Sequence, residues 1–201
     1  NPGSTVAGTD LSIASIAVTT NLSAAAGATL AMITSWWKYG KADVSMTLNG
    51  ALAGLVGITA GTAAVNNVGA VLIGALSGIL IVYAVEFIDH LHVDDPVGAV
   101  AVHGVCGAFG TLMVGFFAID GGLLYGGGVD LLITQAQGVF ATFIWTFTTA
   151  YVLFKAIDAV VGLRVTREEE LEGLDQTEHG SVSYPDFVPL HWKSVEINKN
   201  E

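Results

Sequence analysis

Charge is scarce in this sequence, and positive charge scarcer still: 12% of the residues are Asp, Glu, Lys or Arg, and Lys and Arg together number 7. Soluble domains carry about 25% charged residues, so a chain surrounded by water along its whole length is excluded. The formal net charge of −11 removes nucleic acid from the partners, because phosphate binding needs clustered cations. The single cysteine, Cys106, rules out an internal disulfide and a thiolate-built metal site. It lies inside an apolar run and reads as a small core residue. No basic leader precedes a short apolar stretch at the start, so no cleavable signal peptide is read, and the chain reads as a piece of a longer one. No nucleophile stands beside a base, and there is no phosphate loop or metal-ligand spacing. Neither an enzyme nor a bound cofactor is expected.

What is there is apolar: 52% of the residues are hydrophobic. A crossing of the hydrocarbon core takes about 20 mostly apolar residues. The sequence offers five, at about 11–37, 44–62, 68–88, 96–119 and 131–162. The first closes on Trp36 and Trp37, which suit the headgroup region. The second and third come from one uncharged run too long for a single span, divided at the polar, Gly-rich stretch 61–69 with its Asn66-Asn67 pair. The fourth begins at Pro96, with Asp94 and Asp95 ahead of it to cap the first amides. The fold class expected is all-α: a polytopic membrane domain over 11–162, preceded by a short segment at 1–10 and followed by an acidic tail over 163–201. Ser23 to Thr29, Gly50 to Gly57, and Gly104, Gly107 and Gly110 supply the small residues through which helices pack in lipid.

The basic residues give an independent test of orientation. Lys38, Lys41, Lys155, Arg164, Arg167, Lys193 and Lys199 all fall on one side of a five-span arrangement, and the loops 61–69 and 120–130 on the other side have none. By the positive-inside rule the C-terminus is expected in the cytoplasm.

Of the five histidines, only His103 lies within a span. Counted from Pro96 at 1.5 Å per residue, it sits about 12 Å along its helix. An imidazole at that depth either bonds a neighbouring backbone carbonyl or faces a conduction pathway, the usual meaning of an ionisable group inside a membrane. Gly104 and Gly107 leave space beside it. The run Asp89-His90-Leu91-His92-Val93-Asp94-Asp95 collects possible metal ligands. It falls in a short aqueous loop, however, and Asp95 is accounted for as a helix cap.

These residues carry a resemblance. Asp94-Asp95-Pro96 followed by Val102-His103-Gly104-Val105-Cys106-Gly107 resembles the penultimate helix of the ammonium transporter family, the Amt/Mep/Rh proteins. Asn1-Pro2-Gly3-Ser4 resembles the family's broken helix at the outer pore mouth, and the run from Gly50 to Thr59 resembles its eighth helix. Val161 to Val165 and Glu172 to Asp175 resemble the end of its last helix and its tail. The matches keep the family's order from Asn1 to about Tyr184.

The resemblance implies about one half of an inverted-repeat transporter that assembles as a homotrimer in the plasma membrane and takes ammonium or ammonia. It implies that His103 is the second of two pore histidines forming a proton relay, the first lying in the N-terminal half. It implies that Ser4 recruits ammonium outside, that Asn1 and Thr59 stand near the pore, and that His179, Gly180 and Tyr184 belong to a regulatory tail that meets a P-II signalling protein. An ammonium sensor acting through that tail is the alternative.

Overall fold

The computed structural model describes residues 1–184. Pro185, Pro189, His191, Trp192, Lys193 and Lys199, and with them the end of the expected tail, lie outside the described residues. The chain divides into two compact units, Asn1–Trp145 and Thr146 onward, and the regular elements among the described residues are all helical.

The first unit opens with a 3-10 turn, Pro2–Thr5, followed by α1 (Ser12–Tyr39), α2 (Val44–Thr59) and α3 (Asn67–His90). A wide turn over Val100–Val105 leads into α4 (Cys106–Phe117), and α5 (Asp130–Val160) starts in this unit and ends in the next. α1, α3, the segment Val100–Phe117 and α5 are long and apolar enough to cross a membrane, while α2 is a shorter apolar helix of 16 residues. It stops at Thr59 rather than running to 62.

Local chemistry sets the helix ends. Gly40 takes φ 75 and returns its amide to the Trp36 carbonyl, closing α1. Asp43 accepts from the Met46 amide at 2.7 Å to start α2, and Asn66 accepts from the Gly69 amide at 2.9 Å to start α3. The fourth helical segment departs from the expected start at Pro96. Residues 95–98 form a turn in which the Gly98 amide meets the Asp95 carbonyl at 3.0 Å, with Gly98 at φ 72. Helix begins only at Val100, where the Asp95 carboxylate reaches over that turn to the Val100 and Ala101 amides at 3.0 and 3.3 Å. The cap is the expected residue, acting across an extra turn.

α1 packs on α2 and α3, and α2 on α3 and the Val100–Phe117 segment. The contacts are backbone on backbone. A Cβ placed on Gly78 would lie 2.2 Å from the Gly27 carbonyl oxygen, and one on Gly110 would lie 2.0 Å from that of Gly57. Ser23 adds a hydroxyl bond of 2.7 Å to the Gly54 carbonyl. Around these crossings sit buried Ala31, Ala53, Ile81, Val82, Val102 and Cys106. At one end of the pair, Lys38 of α1 forms an ion pair with Glu86 of α3, and its ammonium lies 4.2 Å from the Tyr83 ring centre.

The second unit holds the end of α5, then α6 (Arg167–Glu172) and α7 (Leu174–His179). Thr166 and Glu169 exchange hydrogen bonds as a capping box at the start of α6. Gly180, at φ 64, closes α7.

Candidate functional site

The site is built where Val100–Val105 departs from α-helical geometry. The Cys106 amide reaches back five residues to the Ala101 carbonyl, which widens the turn by one residue. Ala101, Val102 and Cys106 stay buried against α2 and α3, while His103 and Gly104 are both turned to the open side. No hydrogen bond joins the His103 ring to another of the described residues. The backbone-carbonyl reading of this histidine therefore does not hold within the described chain. A Cβ on Gly104 would meet only Val100, at 3.8 Å, so the space beside the ring is left clear. Helix starts four residues later than assumed, so His103 lies in the first turn of its helix rather than about 12 Å along it.

The other expected residues occupy separate places. Ser4 is exposed, its amide bonded to the Asn1 carbonyl at 3.0 Å within the 3-10 turn. Asn1 donates from its side-chain amide to the Thr20 hydroxyl at 3.0 Å. Thr59 is exposed at the end of α2 and donates to the Leu55 carbonyl at 2.8 Å, the local bond expected of a threonine in an apolar helix. Among the described residues no hydrogen bond connects Ser4, Thr59 and His103 to one another. The loop 89–98 does not converge as a metal site: His90 turns its ring to the Glu86 carbonyl at 2.7 Å, and Asp95 caps the helix. Among the described residues no three His, Cys, Asp or Glu side chains are grouped to hold a metal ion. The same loop, with Ser45 and Asn49 of α2, lines a cleft of about 270 Å³. In the tail, Gly180 is the α7 cap and Tyr184 is exposed, while the Asp175 carboxylate accepts from the Ser183 amide at 3.1 Å.

What the sequence did not single out is a set of hydroxyls around Thr62, in the turn between α2 and α3, which bonds with Thr19 and Thr20 of α1. Hydroxyls in an apolar run carry no periodic signal that sets them apart from packing residues.

The wide turn bearing His103 and the 3-10 turn bearing Ser4 fall in two of the segments on which the sequence resemblance rested, and comparison with known proteins decides it. Residues 1–184 match the family model described as the Ammonium Transporter Family. The chain belongs to the ammonium transporter family. It is 43% identical over 201 residues to the ammonium transporter Amt2 of Archaeoglobus fulgidus, covering 94% of this chain and 42% of that one. It is 41% identical to the ammonium transporter Amt1 of Haloferax mediterranei, over 86% of this chain and 33% of that one. Among solved structures, a protein described as a sensor Amt protein matches with a TM-score of 0.81 at 39% identity, over 89% of this chain and 44% of its own. Candida albicans Mep2 matches with a TM-score of 0.77 at 31% identity, over 84% of this chain and 40% of its own. The chain thus spans less than half the length of each of these relatives. Within the family, then, the matched region includes both the wide turn and the acidic tail as far as residue 184.

Proposed function

We propose that this chain forms the His103-bearing half of an ammonium transport channel in the plasma membrane. The observation that carries this reading is the open presentation of His103: an ionisable ring in an apolar membrane helix, aimed away from the core with its neighbouring glycine leaving a clear path. A neutral imidazole accepts at one nitrogen and donates at the other, and its ordinary pKa lies near neutrality, so it can relay a proton or steady a dehydrated ammonia. Ser4 recruits ammonium at the outer mouth, with Asn1 beside it. Thr59 lines the path, and the cleft at Asp89 to Gly98 opens it to the cytoplasm. The chain works in a homotrimer, with its C-terminus cytoplasmic and His179, Gly180 and Tyr184 available to a P-II partner.

In the full-length transporter, His103→Ala is expected to lower methylammonium uptake about tenfold, equivalent to about 1.4 kcal/mol in the barrier, or to admit potassium. Uptake and selectivity equal to the parent's overturn the pore role. A second reading, an ammonium sensor, is favoured by the folded tail, where Asp175 fastens Ser183. Deletion of 166–184 that abolishes signalling and spares uptake decides for it.

A further inference from the structure

The hydroxyls at the outer end of α1 and in the α2–α3 turn form one connected chain. The Asn1 amide donates to Thr20 Oγ1 at 3.0 Å, Thr20 Oγ1 lies 3.2 Å from Thr62 Oγ1, and Thr62 Oγ1 lies 2.9 Å from Thr19 Oγ1. Thr19 in turn reaches the carbonyls of Thr62 at 2.9 Å and of Ile16 at 3.1 Å. Each hydroxyl has one proton to give. With Asn1 donating to Thr20, one arrangement open to the chain has Thr20 donate to Thr62, Thr62 to Thr19 at 2.9 Å in preference to the Ile16 carbonyl at 3.4 Å, and Thr19 to a backbone carbonyl. All donors then run in one direction, and each bond polarises the next.

The chain ends in buried ground and begins in exposed ground. Thr19 is 3% exposed, whereas the segment after Asn1 is exposed from Gly3 onward apart from Thr5, and ends on Val6 at φ 61. A β-branched residue in that left-handed conformation persists only where its surroundings hold it. Asn1 is the one residue of the first five that hydrogen-bonds α1 through its side chain among the described residues. Fixing Asn1 fixes the turn that carries Ser4, since the Ser4 amide is bonded to the Asn1 carbonyl.

We infer that Thr20 and Thr62 are positioning residues for the outer ammonium site: through Asn1 they hold the Ser4 turn in register with the α2–α3 turn. This rests on the transport reading and adds two residues to it. The test measures methylammonium uptake against concentration in the full-length transporter carrying Thr20→Val or Thr62→Val, which keep shape and remove the hydroxyl. The half-saturating concentration is expected to rise about 2- to 10-fold with the maximal rate near the parent's, the range that loss of one hydrogen bond corresponds to. Thr20→Ser is expected to restore it. An unchanged half-saturation, or a fall in maximal rate alone that Thr20→Ser does not reverse, overturns the inference. If Thr20→Val does not yield folded protein, Thr62→Val decides, and if neither folds, the pair is structural and the inference is overturned. A parent protein that takes up no methylammonium sinks the transport reading itself, an outcome distinct from any of these.

Discussion

Gly104 and Gly110 lie on the same helical segment and do opposite things. At Gly110 the missing side chain lets two backbones touch, since a Cβ there would lie 2.0 Å from the Gly57 oxygen. At Gly104 it leaves a void, with the nearest atom to such a Cβ 3.8 Å away. The wide turn between Ala101 and Cys106 separates the two regimes: beyond it the segment is glued to α2, and within it the chain is opened around His103. In lipid, where apolar side chains gain little by leaving their solvent, close approach is what holds helices together. This segment gives up that approach over one turn, around His103, and the π-type geometry is how it does so.

The largest effect should come from closing the contact. Gly110→Ala forces α2 and α4 apart and is expected to destabilise the full-length protein by about 3 kcal/mol, read as a lowered unfolding temperature in detergent. Gly104→Ala should leave that temperature unchanged or raise it, since alanine favours helix over glycine by about 0.5–1 kcal/mol. Equal losses at the two positions would erase the distinction between contact and void.

Two serines in the packed region sharpen the same contrast on a smaller scale. Ser23 bonds the Gly54 carbonyl at 2.7 Å, whereas the buried Ser77 hydroxyl is without a hydrogen-bond partner among the described residues. Ser23→Ala is expected to cost about 0.6–1 kcal/mol, the usual worth of a hydrogen bond between membrane helices. Ser77→Ala removes an orphaned hydroxyl and should be neutral or stabilising by up to about 1 kcal/mol. A loss at Ser77 as large as that at Ser23 would mean that the hydroxyl has a partner in the assembled transporter.

How much of this could be read from residues alone follows from what each signal depends on. The apolar runs and their polar breaks at 61–69 and 120–130 place the helices, because exclusion of water from lipid leaves a composition mark. The small residues flag packing, and Gly110 packs as its spacing suggests. Yet Gly104 carries the same letter and does the reverse, since only three-dimensional register tells a contact from a void. Pro96 misleads about the helix start: its fixed φ suits a first turn, but Gly98, at φ 72, interposes a separate turn that Asp95 then bridges. The isolation of His103 among apolar residues marks it as a candidate. The wide turn that exposes it depends on one backbone bond that no side chain announces.

The tail gives the smallest and most selective response, and acid is the way to find it. The crossings of α1, α2 and α3 are made of Gly, Ser and Ala, with the Lys38–Glu86 ion pair confined to one end of α1 and α3, whereas α6 and α7 are tied by carboxylates. Hydrogen bonds from the Thr166 amide and hydroxyl hold the Glu169 carboxyl below the ordinary glutamate range. The bond from the Ser183 amide does the same for Asp175. A carboxyl whose folded pKa is depressed stabilises the fold above its unfolded value, about 4.3 for Glu and 3.9 for Asp. That stabilisation disappears as the pH falls through the lower folded value. Both residues are only half-buried, so solvent screening keeps the contribution small. Hydrogen exchange on the full-length protein, corrected for intrinsic rates, should therefore show protection over 166–183 at pH 6 that declines as the pH is taken below the ordinary carboxylate range, with residues 12–90 less affected. Tail protection that survives acid would mean that something other than these two carboxylates holds it, and the contrast between a backbone-packed domain and a charge-tied tail would have to be redrawn.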